Sequence, residues 1–395
     1  MSQPITKPNM EYSVFSRTNN DATQEPIFLG QPVNVQRYDQ QKYEVFSKLT
    51  EKQISFFWRP EEIDVSRDRL DFASLPDNEK HIFTSNLKYQ TLLDSIQGRS
   101  PSQVFESLVS IPELEEFIAW WVAFEVNHSK SYTHIIRNVY ANPSEVLDDI
   151  VENPAILKRT EEISKYYDSL YEYAMYYNLL GYGTHTIRKN VGTPEAVEFT
   201  VNVTKEELAR KLYLCLVVVN VLEGVRFYGS FLCSYAFAER ELMEGNAKII
   251  KLINRDENLH LSMTQWIINL LRNGSEGEFW QNIANSCDEE VLDIYRIAVA
   301  QEIEWGEYLF KDGAMIGLNS DIYNQYIMFI ANQRLKAIGM GILYPEAKSN
   351  PVPWVNTWSD STSVQVAPQE VEISTYLVGQ VDSSVTDDDL AGLSL

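Results

Sequence analysis

Two Glu-x-x-His pairs stand out in this chain: Glu125–His128 and Glu257–His260. Residues three apart on an α-helix share a face, so each pair offers a carboxylate and an imidazole to one point. The chain has five histidines, and two of them close these pairs. A single pair arises easily by chance. Two, each in a long stretch with apolar neighbours, point to a dinuclear metal centre. Helical bundles build such centres from two Glu-x-x-His helices plus one carboxylate from each of two others. Tyr132 lies four residues beyond His128 and adds an oxidisable phenol to the same face. Taken alone, Glu125, His128 and Tyr132 also fit a polar seam that hydrogen-bonds itself.

The two further carboxylates have candidates. Asp94 sits in Leu92-Leu93-Asp94-Ser95-Ile96, and Glu223 sits in Val219-Asn220-Val221-Leu222-Glu223-Gly224-Val225. Each is the conspicuous acid of an apolar stretch. Asp94 also reads as a helix-end acid before Gly98, and Glu223 as half of a salt bridge to Arg226. The donor set itself favours a metal. Divalent iron or manganese takes carboxylate and imidazole together. Four carboxylates against two divalent ions bring the net charge of a buried site near zero, whereas burying them unpaired is very costly. Phe227, Phe231, Ile253 and Leu87 fall on the ligand faces and are expected to wall one side of the site.

The elements that must carry these residues are helices. A helical pattern runs from Gln41 to Trp58, where Arg59-Pro60 ends it. After a connector over 61–76, a second starts near Asp77 and stops at Gly98. Ser110-Ile111-Pro112-Glu113 predicts a capped helix start, running to about Tyr140 before Asn142-Pro143. Residues 144–179 continue as helix with a break near Asn153-Pro154. Residues 181–203 carry Gly181, Gly183, Gly192 and Pro194, and Val197–Val203 alternates with period two, which predicts a small β-hairpin excursion. Thr204-Lys205-Glu206-Glu207 is a capping box opening a helix towards Tyr235. Further helices are expected over 244–272, 278–311 and 320–338.

Composition bounds the rest. The 395 residues carry a formal charge of −23, which argues against nucleic-acid binding. No apolar run is long enough to span a bilayer, and the N-terminus has no apolar signal core, so a cytoplasmic protein is expected. Cys215, Cys233 and Cys287 read as reduced core thiols rather than a disulfide framework. Beyond Lys348 there is no Lys or Arg, while Asp360, Glu370, Glu372, Asp382 and Asp387-Asp388-Asp389 accumulate. Such a one-signed tail reads as an interaction segment. The expected organisation is an irregular arm over 1–40, a body over 41–345 and an acidic tail over 346–395. The fold class is an all-α, ferritin-like helical bundle with a central dinuclear metal site and a small β-hairpin.

Five segments carry a resemblance that covers nearly the whole chain from about residue 25. They are Phe56–Glu62, Asn86–Arg99, His128–Asn138, Arg255–His260 and Ala367–Glu372. Together they resemble the small (β) subunit of class I ribonucleotide reductase, in the subgroup with a tyrosyl radical. The resemblance implies one metal held by Asp94, Glu125 and His128 and a second by Glu223, Glu257 and His260. It implies an oxygen-bridged pair of iron ions, with manganese able to use the same ligands, assembled with O₂ and an electron donor. Tyr132 matches the radical tyrosine. Trp58 and Asp256 match an inner relay in which the aspartate bonds the histidine ligand, and Tyr376 matches the tail tyrosine that hands the radical onward. The partner implied is the large (α) subunit, docked by the C-terminal tail, and a homodimer is implied as well. Two residues depart from relatives: Gly224, where alanine is common, and Asn127, where the position is often apolar; the 181–203 excursion also looks longer than usual. Outside this family, the ligand set alone also suits a di-iron oxidase or oxygenase, which has no use for Trp58, Tyr376 or a docking tail, and an iron-storage or scaffold protein, in which Tyr132 is merely core.

Overall fold

The computed structural model describes residues 16–359. Its helices, in chain order, are α1 (Glu44–Ser55), α2 (Asp68–Ser74), α3 (Asp77–Gln97), α4 (Ser100–Phe105), α5 (Pro112–Val139), α6 (Pro143–Asp148) and α7 (Pro154–Leu180). After a hairpin come α8 (Lys205–Val221), α9 (Phe227–Ala238), α10 (Glu244–Arg272), α11 (Glu278–Ser286), α12 (Asp288–Leu309), α13 (Ser320–Ala337) and α14 (Val355–Ser359). Strands β1 (Gly183–Lys189) and β2 (Val197–Val203) pair antiparallel, with Gly183 opposite Val203 and Lys189 opposite Val197. Among the described residues no helix is long and apolar enough to cross a membrane.

Three long helices, α3, α5 and α10, and the consecutive pair α8 and α9 surround the centre of the bundle. α3 packs on α5, α5 on α10, and α10 on α8 and α9, with α3 closing against α9. Their facing sides are apolar and fully buried, including Leu87, Leu93, Ile135, Leu212, Val219, Phe227, Phe231, Ile253 and Leu261. The ends follow local chemistry. Pro112 is the first residue of α5, where its missing N–H costs nothing, and Glu113 and Glu115 in the first turn complement the helix dipole. α10 closes at Asn273, followed by Gly274 at φ +83°.

Several local expectations are corrected. Ser110 does not cap α5: Ile111 takes the cap position without a side-chain bond, and the Ser110 hydroxyl accepts from the Gly30 N–H at 2.8 Å. The N-terminal arm has claimed that oxygen. Thr204 caps α8 by accepting from Glu207 N–H at 3.2 Å, but its own N–H donates to Tyr173 Oη, so only half of the box forms. The stretch 278–311 is two helices broken at Cys287, and the 61–76 connector contains α2. α1 ends at Ser55, leaving Trp58 outside the helix. The expected helix from Thr204 to Tyr235 is interrupted by a π-helical turn over Leu222–Arg226, which lies at the site. All three cysteines are buried and free.

Candidate metal centre

The six sequence-derived ligands converge. Asp94, Glu125, His128 and Glu257 each offer a ligand atom within 4.8 Å of the others, and so do Glu125, Glu223, Glu257 and His260. All six side chains are completely buried. α3 supplies Asp94, α5 supplies Glu125 and His128, the π turn supplies Glu223, and α10 supplies Glu257 and His260. Glu125 and Glu257 belong to both groups, which is the pattern of two adjacent ion sites sharing carboxylates.

Both imidazoles point the same way. His128 Nδ1 lies 3.3 Å from Glu125 Oε2 and 3.1 Å from Glu257 Oε1. His260 Nδ1 lies 2.9 Å from Glu125 Oε1 and 3.5 Å from Glu257 Oε2. The Nε2 atoms face outward to a second layer of polar groups. His128 Nε2 lies 3.2 Å from Asp256 Oδ2, and His260 Nε2 lies 2.6 Å from the Gln53 amide. A metal on His260 Nδ1 leaves Nε2–H as a donor, and the Gln53 amide turned over presents its otherwise unpaired Oε1 to it. Trp121 Nε1–H donates to Glu125 Oε1 at 2.9 Å. Gln97 Nε2–H donates to Glu223 Oε1 at 2.8 Å, and the Tyr167 hydroxyl donates to Gln97 Oε1.

These residues fit a pair of cations. Both oxygens of Asp94, both of Glu257, Glu223 Oε2 and His260 Nδ1 are buried without a hydrogen bond. Unpaired buried acceptors on this scale are costly, and a cation between them removes the cost. The electrostatics agree. Burial, then the charge of Glu125, pushes Asp94 well above the usual carboxylate range, and burial with Glu257 does the same to Glu223. For Glu125 burial acts upward, but the neighbouring imidazoles of His128 and His260 outweigh it and hold the carboxyl at about 2. Burial alone lowers His260, yet Glu125 and Glu257 raise it to about 9. The cavity thus strongly favours positive charge among its carboxylates.

Tyr132 is fully buried, its hydroxyl without a hydrogen bond. Burial first, then the Asp94 charge, holds its phenol well above the ordinary range, so the proton stays on in the resting protein. Trp58 is buried too, and its Nε1–H donates to Asp256 Oδ2 at 2.8 Å. Tyr376 and the acidic tail lie outside the described residues.

The structure decides the open alternatives for Glu223 and Gly224. Arg226 does not pair with Glu223; it reaches Glu302 at 3.2 Å and Gln301 at 2.7 Å. In a π turn, wound i to i+5, residues three apart no longer stack on one face. Gly224 lies in that turn, where a Cβ would meet Leu261 Cδ1 at 2.8 Å and Arg334 Cγ and Cδ at 3.2 Å. Arg334 Nε also donates to Gly224 O at 3.1 Å, so the missing side chain admits the arginine. Gln53, Gln97, Trp121 and Tyr167 escaped sequence reasoning. Trp121 and Gln97 had a usable signal, lying four before Glu125 and three after Asp94; Gln53 and Tyr167 come from other helices and had none.

A helical bundle around a buried dinuclear carboxylate–histidine site defines a di-metal carboxylate protein. The comparisons specify which. The family model described as "Ribonucleotide reductase, small chain" matches residues 36–351, and the chain belongs to that family. It is 58% identical over 386 residues to ribonucleoside-diphosphate reductase 1 subunit beta of Escherichia coli O157:H7, covering 98% of this chain and 100% of that one. Identity and coverage are the same for the Salmonella typhimurium subunit of that name. A solved ribonucleotide reductase R2 subunit from Clostridium botulinum superposes with a TM-score of 0.73 at 25% identity, covering 90% of this chain and 98% of that one. The chain is therefore a radical-generating, di-metal β subunit of ribonucleoside-diphosphate reductase, and it works with an α subunit.

Proposed function

We propose that Asp94, Glu125 and His128 hold one metal ion, that Glu223, Glu257 and His260 hold the other, and that Tyr132 carries the radical. The observation that carries this reading is the placement of a fully buried phenol against Asp94 of the six-residue cluster. When bound, the two ions together with dioxygen supply the oxidising power. The protein's own residues do the rest. Asp94 lies beside Tyr132, which would give one electron to the loaded, oxidised centre and its phenolic proton to the Asp94 side of the cavity. The apolar walls exclude water and reductants, so the tyrosyl radical persists. Trp58, hydrogen-bonded to Asp256 and through it to His128, is the outlet for the oxidising equivalent. Tyr376 then passes it to a cysteine of the α subunit, where the ribonucleotide is reduced.

The metal is read as iron, with manganese served by the same donors. The protein is read as a cytoplasmic homodimer with a body over 41–345, preceded by an arm over 1–40, and a tail over 346–395 that docks on the α subunit. α14 lies against α9 and α10, with Trp358 stacked on Tyr235, so the docking role falls to the residues after 359. The test is a low-temperature electron paramagnetic resonance spectrum after adding Fe(II) and O₂. A tyrosyl signal is expected, and it is lost in Tyr132→Phe while metal binding remains. A metal-loaded, oxygen-treated wild type with no tyrosyl signal overturns the reading.

A further inference from the structure

Asn127 sits between two ligand positions, and its polarity has a partner. Its Nδ2–H donates to the backbone carbonyl of Trp58 at 3.0 Å, from a buried position. Trp58 lies in the short non-helical link between α1 and the 3₁₀ turn Pro60–Glu62, where no helix ladder holds the backbone. The indole end of the same residue is held by Asp256, which also faces His128. Residues 127 and 128, adjacent on α5, therefore reach Trp58 from both ends: one at the backbone, the other through Asp256 at the ring. α10 repeats the device. Arg255, adjacent to Asp256, donates to Phe56 O at 2.6 Å and stacks 4.3 Å over the Phe56 ring.

We propose that Asn127 is a positioning residue that clamps the Trp58 backbone to α5 and so sets the indole-to-Asp256 hydrogen bond. Its consequence for radical transfer rests on the reading of Trp58 as the outlet; the clamp itself does not. A buried carbonyl that loses its donor turns towards another partner, and no helix ladder holds Trp58 against that turn. The indole attached to that backbone then moves off Asp256.

The experiment follows the indole N–H of Trp58 by hydrogen–deuterium exchange in full-length protein labelled with ¹⁵N-tryptophan, metal-free and zinc-loaded. The Trp58 resonance is identified by its loss in Trp58→Phe. In Asn127→Leu, which removes the amide at similar volume, Trp58 exchange is expected to accelerate at least about tenfold while Trp121 and Trp305 stay within about twofold. Asn127→Asp keeps the size but sets an acceptor against the carbonyl, and it is expected to do the same. Unchanged Trp58 exchange in both variants overturns the proposal. A parallel rise at all three indoles does so too, because that is general loosening. Failure of Trp58 as the outlet is read separately, as turnover that persists in Trp58→Phe.

Discussion

Trp58 Nε1–H donates to Asp256 Oδ2 at 2.8 Å across 198 residues of sequence, and that same oxygen lies 3.2 Å from His128 Nε2. One carboxylate thus ties a buried tryptophan in the link after α1 to an imidazole on α5. A double-mutant cycle of Trp58→Phe and Asp256→Asn, followed by denaturant unfolding of the metal-free protein, is expected to show a coupling of about 0.5–3 kcal/mol. Effects that simply add would mean that the two residues are neighbours without a link.

Gln97 holds Glu223 by one oxygen and is itself held by Tyr167. Gln97→Leu leaves the carboxylate free to swing and Tyr167 without its acceptor. The loss of such an outer partner lowers metal affinity by about 10- to 100-fold. Anaerobic calorimetric titration with Mn(II) should therefore show one weakened ion and one near wild-type strength. Two ions bound at wild-type affinity would falsify this role.

Gly224→Ala sets two effects against each other. Alanine favours a helix by about 1 kcal/mol. Its Cβ, however, meets Leu261 Cδ1 at 2.8 Å and the Arg334 stem at 3.2 Å, and Arg334 is anchored to the Gly224 carbonyl. Leu261 can rotate away, whereas Arg334 yields only by loosening that bond. With overpacking worth about 1–3 kcal/mol, the net expectation is a loss of roughly 1 kcal/mol. Calorimetry should show a lower melting temperature, and the companion change Leu261→Ala should recover little of it if Arg334 is the rigid partner.

Asp68 gives a pH dependence remote from the metals. Its Oδ1 and Oδ2 accept from the Gly245 and Asn246 N–H groups at the start of α10, at 3.0 and 2.6 Å. Burial nevertheless raises its carboxyl to about 6; the two backbone bonds pull it down, and Asp71 and Glu244 push it up again. Arg67, 3.7 Å from Asp71 and 3.2 Å from Glu244, balances part of that acidity. The folded protein then binds this proton more tightly than the unfolded chain. Its stability contribution is complete below the unfolded value of 3.8 and is lost as pH rises through about 6. Two pKa units correspond to at most about 3 kcal/mol. Urea unfolding from pH 4 to 7.5 should show Asp68→Asn with a flatter profile than wild type over that window. A steeper profile in the variant contradicts the assignment.

Much of the centre was legible because helix periodicity is a local law. Glu125 with His128, and Glu257 with His260, had to share a face once their segments were helical, and the apolar flanks of Asp94 and Glu223 marked the other two walls. The β2 strand was readable from its alternation over Val197–Val203. Less local features misled. Ser110 has the chemistry of a cap, but its hydroxyl serves Gly30 instead. Arg226 has the spacing of a Glu223 partner, but the π turn sends it to Glu302.

The sequence by itself determined the donor set, the family and the facing of each ligand pair, because these follow from residue types and a repeat of 3.6. Only the tertiary structure decided what steadies the ligands and where the centre connects. Gln53 reaches His260, Tyr167 backs Gln97, Asn127 grips Trp58, and Asp256 joins Trp58 to His128. These contacts bridge separate elements, so they depend on how α1, α3, α5, α7 and α10 cross and on the link after Ser55. Packing of whole helices fixes those crossings, and no spacing within one helix encodes them.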